Sequence, residues 1–184
     1  MSANALRVVA TLLIFGVLSA SGASAQGTLV GPPPECPSGN HLRTLHFIIA
    51  TADDDLRGGS DNVDLYARTV GSPDWRRVPI RGGLNHGARW ADWSTHTVDV
   101  TVGEGSCPPP PAFITGLRLQ TTSGGGTGGD NWNLLSLSVE WIGTDATGKR
   151  ASGLLANVPA VGRRGHRHRF TAYDNAFEIP LLPH

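Results

Sequence analysis

Charge is scarce and balanced. Of 184 residues only 16% are Asp, Glu, Lys or Arg, with 15 of each sign and no formal net charge. A protein that binds nucleic acid by neutralising phosphates over a broad face needs a basic excess, so that class is excluded. Cysteine is nearly absent: Cys36 and Cys107 are the two, and neither has a second cysteine at zinc-ligand spacing. No stretch carries an apolar stripe at helical period over three turns. The 24 glycines and 13 prolines argue further against a helical bundle or coiled coil. Catalytic signatures are missing as well: no Gly-x-Ser-x-Gly, no His-Glu-x-x-His, no phosphate-cradling glycine loop followed by lysine. A non-enzymatic protein is the expectation. The 39% hydrophobic content is nevertheless too high for a wholly disordered chain.

Residues 1–25 read as a secretory signal. Arg7 precedes the apolar run Val8–Leu18, and small residues lead to Ala23-Ser24-Ala25. That is a charged start, an apolar stretch too short to span a bilayer comfortably, and an Ala-x-Ala cleavage site. The expected organisation is a signal peptide 1–25, a Pro/Gly-rich lead-in 26–42 and one domain, 43–184. Export to an oxidising compartment makes a Cys36–Cys107 disulfide the expected state of the cysteine pair. Closing so long a loop contributes roughly 4 kcal/mol. Both cysteines adjoin proline, in Pro34-Glu35-Cys36-Pro37 and Cys107-Pro108, which suits a staple between stiff surface segments.

What the sequence has in quantity is period-two alternation. Leu45–Ile49, Val63–Arg68, Thr97–Val102, Leu117–Gln120 and Leu135–Trp141 all alternate apolar with polar residues. Trp75–Ile80, Leu154–Val158, Arg167–Ala172 and Ala176–Ile179 do so more weakly. Such segments form strands with one dry face, and a dry sheet face needs a cover. The expected fold is all-β: an antiparallel two-sheet β-sandwich of about eight strands. A closed barrel shares the alternation, but the connections vary too much in length to favour it.

Two connections carry the functional signal. Thr51–Asn62 contains Asp53-Asp54-Asp55, Gly58-Gly59 and Asp61-Asn62; Thr121–Asn131 contains Gly128-Gly129 and Asp130-Asn131. Each follows a strand and re-enters one, so both can project from the same end. Clustered carboxylates repel one another unless a cation offsets them. Outside the cell calcium, which takes oxygen ligands, is the natural cation, at about 0.1–1 mM affinity for so exposed a loop. Alternatively the aspartates cap turns in water, with Arg57 as a screen.

The order of these motifs is specific. A Thr-x-Asp-Asp-Asp loop runs into Gly58-Gly59-Ser60-Asp61-Asn62-Val63. The polar segment Leu84–Ser94 precedes Thr95-His96-Thr97-Val98. Ile114-Thr115-Gly116-Leu117 then leads through glycines to Trp132-Asn133-Leu134. Over residues 43–142 the chain resembles the PLAT (polycystin/lipoxygenase/alpha-toxin) domain. The resemblance implies a sandwich that binds a lipid or membrane surface, or an extracellular protein, often with calcium, and that is not itself an enzyme. Carried over position by position, it implies Asp53, Asp55, Asp61 and Asp130 as metal ligands. One departure is Leu135: the family often has an acidic residue there, whereas Leu135 fits the inward-facing alternation.

Trp90, Trp93 and Trp132 lie in or beside loops and are the candidate ligand-binding residues, since exposed tryptophan suits a membrane interface or a sugar face. Large aromatics also plug the ends of small sandwiches. A polysaccharide- or cell-wall-binding module is the alternative function. The basic run Arg163–Arg169 suits attraction to an anionic surface, and a hydrolase with a metal on His166 and His168 is a third reading.

Overall fold

The computed structural model describes residues 39–102, 108–122, 131–162 and 165–183. Cys36, Cys107, Asp130 and the whole of 1–38 lie outside them, so the disulfide, the signal and one metal-ligand expectation do too.

Among the described residues nine strands form two antiparallel sheets. The strands are β1 (His41–Thr51), β2 (Val63–Thr69), β3 (Ser72–Arg77), β4 (Thr95–Thr101), β5 (Ile114–Thr121), β6 (Trp132–Thr144), β7 (Arg150–Val158), β8 (His168–Phe170) and β9 (Ala176–Ile179). One sheet runs β4-β1-β6-β7, with β8 pairing the start of β6; the other runs β3-β2-β5-β9. The sheets do not close on each other, so the sandwich holds and the barrel does not.

The alternation places the core as the sequence dictates. Leu45, Phe47 and Ile49 of β1 face Val63 and Leu65 of β2, Leu117 and Leu119 of β5, and Leu137 and Val139 of β6, all fully buried or nearly so. Leu135 is a correction. Ala50 pairs with Ser136, but Thr51 pairs with Leu134. One residue, Leu135, is therefore extra, the mark of a β-bulge. The bulge shifts the phase of β6, so Leu134 and Trp132 turn inward, fully buried, while Leu135 is only half-buried.

Among the described residues, three sheet-crossing connections lie at one end. β1 pairs with β6 so that Thr51 meets Leu134, and β2 pairs with β5 so that Val63 meets Thr121. Segment 52–62 and the strand ends at Thr121 and Trp132 therefore lie at the same tip. The connection 78–94 returns there, because Thr95 pairs with Ala50. So does 171–175, because Phe170 pairs with Trp132 and Ala176 with Gln120.

Candidate functional site: the loop end

Backbone and amide bonds knit this end together. Ala52 N–H donates to the Asn133 carbonyl at 2.8 Å, and Asn133 N–H to the Asp54 carbonyl at 3.2 Å. Thr122 binds the other side: its hydroxyl donates to the Ser60 carbonyl at 2.8 Å and accepts from Asn62 N–H at 2.9 Å. Buried Asn85 clamps the third connection. Its Oδ1 accepts from Val63 N–H at 3.2 Å, while its Nδ2 donates to the Ala88 carbonyl at 2.9 Å and the Asp61 carbonyl at 3.3 Å. Leu56 and Trp90 exchange backbone bonds of 3.0 and 2.8 Å. The first Gly-rich loop thus shares one end with Thr122 and Asn133, which flank the second in sequence; the second loop itself, 123–130, lies outside the described residues.

Glycine is required at two points of this frame. Gly58 has φ 80° and a Cβ there would lie 2.6 Å from the Gly87 carbonyl oxygen; Gly83 has φ 64° and a Cβ would lie 2.5 Å from the Val63 oxygen. Any other residue is strained in backbone and blocked in space.

Inside the tip a column of rings fills the end of the sandwich. His96 stacks on Trp90 at 4.8 Å, Trp90 meets Trp132 edge-on at 5.8 Å, and Trp132 stacks on Phe170 at 4.7 Å. His168 continues it, 4.4 Å from Phe170 and 5.2 Å from Phe177. This corrects the surface reading of two tryptophans: Trp90 is 3% and Trp132 0% exposed. They plug the end because the bulge at Leu135 and the Leu56–Trp90 bridge turn them inward. Burial disfavours the charged form of His96 and of His168 and lowers both below the usual histidine value. His168 is therefore a ring among rings, while His166 is exposed.

Trp93 is different. It is 51% exposed and holds φ at 55°, a left-handed conformation rare for a bulky side chain. Its N–H donates to the Ala52 carbonyl at 2.9 Å, which fixes the strained turn. Tyr173, in the 171–175 turn of the same end, is 101% exposed. Sequence reasoning missed it, although Thr171-Ala172-Tyr173-Asp174-Asn175 is a turn-rich break between two apolar segments.

The aspartates are largely matched by protein partners. Arg89 pairs with Asp55 and Arg169 with Asp54 at 3.2 Å. Burial raises the Asp54 acid above its usual value, with neighbouring Asp55, Asp92 and Asp53 adding and Arg169 opposing. Asp53 accepts a 2.9 Å bond from Asn133 Nδ2, and that bond lowers its acid below the usual value. Among the described residues no group of three or more His, Cys, Asp or Glu converges for a metal. Asp53, Asp55 and Asp61 are therefore not brought together as one carboxylate cluster: Arg89 already neutralises Asp55. One feature does suit a hard cation. Asn133 is 2% exposed, and its Oδ1 is buried without a partner. An orphaned amide oxygen beside the ionised Asp53 is the donor chemistry calcium takes.

No family profile and no curated protein matches the chain. Among solved structures, the alpha-toxin of an avian strain of Clostridium perfringens aligns with a TM-score of 0.41 at 14% identity, over 68% of this chain and 33% of the toxin chain. A LOX (lipoxygenase) variant aligns with a TM-score of 0.32 at 12% identity, over 64% of this chain and 16% of its own. The chain thus spans no more than 33% of the length of either. The fold itself is an open sandwich of two antiparallel sheets.

Proposed function

We propose that the chain is a secreted, non-enzymatic binding module whose loop end meets a lipid surface. The observation that carries this is the pair of exposed aromatics at one tip. Trp93 is held outward on strained backbone while Trp90, three residues earlier, is buried. Strain of this kind costs about 1–3 kcal/mol and persists at sites that do something other than pack. Tyr173 adds a second amphipathic ring, and such rings settle at the headgroup level of a bilayer. Arg89 and Arg169 on this end are taken by Asp55 and Asp54, so the aromatic rings carry the contact. Weak calcium binding at the exposed Asp53 carboxylate belongs to the proposal, as a bridge to headgroup oxygens.

Co-sedimentation with phosphatidylcholine/phosphatidylserine vesicles, with calcium or with a chelator, tests this reading. The protein should pellet, Trp93→Ala and Tyr173→Ala together should reduce pelleting at least tenfold, and the chelator should weaken it. Failure of the unmodified protein to pellet under either condition overturns lipid binding and leaves an extracellular protein as the surface to seek. Pelleting that ignores calcium overturns the metal alone.

A further inference from the structure

The outer face of the β3-β2-β5-β9 sheet carries a second constellation, none of whose residues belongs to the loop end. Trp75 reaches from β3 across the sheet. The Arg68 guanidinium lies 4.1 Å and the Arg118 guanidinium 4.8 Å from its ring centre, and Arg118 is also 4.8 Å from the Tyr66 ring. Gly116 makes the stack fit: a Cβ there would lie 2.8 Å from Arg68 Nε and 3.1 Å from Trp75 Cη2. The Nε atoms of both arginines are buried without a hydrogen-bond acceptor.

The charges on this face do not balance locally. Arg77 is taken by Asp64 in two bonds of 2.7 Å. Arg68 has Glu178 at 3.8 Å, a carboxylate that is itself 62% exposed. Among the described residues no carboxylate pairs with Arg118. Two guanidinium groups around one indole repel each other unless an anion sits between them. Aromatic stacking fixes their planes, so little freedom is lost when the free N–H edges meet an oxyanion. Guanidinium forks match carboxylate and sulfate oxygens in pairs.

We propose that this face binds an acidic polysaccharide, with Arg118 as the central anchor for a carboxylate or sulfate group and Arg68 as its neighbour. The row Arg77, Tyr66, Arg118, Glu178 runs directly across four strands, a flat track for a long, thin ligand rather than a pocket for a small one. A membrane is disfavoured here. Apart from Val70 in the β2–β3 turn, the exposed large apolar side chains of the described residues lie outside the strands of this sheet, and the rings on this face are occupied by arginine.

The test is retention of the protein on immobilised dextran sulfate and polygalacturonate, against neutral dextran and phosphatidylglycerol vesicles. Binding to the charged polymers only, falling steeply with salt, is expected. Arg118→Gln should weaken it at least tenfold and Arg118→Lys should not restore it, because an ammonium neither stacks nor forks. Glu178→Gln, which leaves every ring contact in place, should strengthen it severalfold. Arg150→Gln, in a distant strand, should leave it unchanged. Equal loss in Arg118→Gln and Arg150→Gln, loss that follows Arg167→Gln instead, equal retention on neutral dextran, or binding to vesicles alone each overturns the proposal. Near-ultraviolet circular dichroism and the unfolding midpoint of each variant separate lost binding from lost folding. Trp93→Ala, which tests the loop end, should not affect retention.

Discussion

Asn133 Nδ2 donates to Asp53 Oδ1 at 2.9 Å, across 80 positions of chain. This one bond joins the first acidic loop to the strand that leaves the second Gly-rich loop. It also leaves Asn133 Oδ1 buried without a hydrogen-bond partner. The loop end is thus a single structure built from distant segments.

Its acid dependence follows. The Asn133 bond holds Asp53 below its ordinary 3.8. A depressed carboxyl contributes stability that is present above the unfolded value and lost as pH falls through the folded one. Urea unfolding between about pH 5 and pH 2 should show this loss, and Asn133→Leu should flatten it and lower the midpoint throughout. An unchanged slope in the variant would remove the bond from the account.

The buried histidines act in a higher range and with the same sign. His96 and His168 are both lowered by burial. The unfolded chain therefore binds protons that the folded chain resists. Stability should fall as pH drops from above the ordinary histidine value of 6.5 through the depressed values in the fold. The replacement His168→Gln, neutral at every pH, should shrink that fall. Chemical denaturation in steps from neutral to mildly acidic pH reads it directly.

The tryptophans should divide sharply. Trp132 is fully buried between Trp90 and Phe170, so Trp132→Ala should cost about 3–5 kcal/mol of stability. Trp93 is half exposed on strained backbone, so Trp93→Gly should be neutral or stabilising by up to about 1 kcal/mol. Urea denaturation distinguishes the two, and a large loss in the second would contradict the strain.

Gly83 offers a backbone test. With φ at 64° and a Cβ position 2.5 Å from the Val63 oxygen, Gly83→Ala should destabilise by more than about 1–2 kcal/mol. It should also loosen the Asn85 clamp. Amide exchange at Val63 and Leu84, whose N–H groups bond to Asn85 Oδ1 and the Val63 carbonyl, should accelerate relative to β1.

The strands and the sandwich were legible in sequence because alternation is local: each residue reports its own face. Ala176–Ile179, weak in pattern, is a strand with those bounds. That the strand ends flanking the two Gly-rich loops meet at one end was legible too, since antiparallel neighbours return their connections to the same side. The inward turn of Trp132 was hidden, because a bulge at Leu135 reverses the phase and depends on what β1 presents opposite.

The sequence alone determined an all-β chain with acidic and glycine-rich turns, because side-chain period and turn chemistry act over a few residues. Tertiary structure decided which aspartates are neutralised, by arginines 34 and 115 positions away, which tryptophan faces outward, and that Arg118 stacks between two rings with no carboxylate partner among the described residues. Those outcomes depend on strand register and sheet pairing, which bring together groups that no local pattern relates.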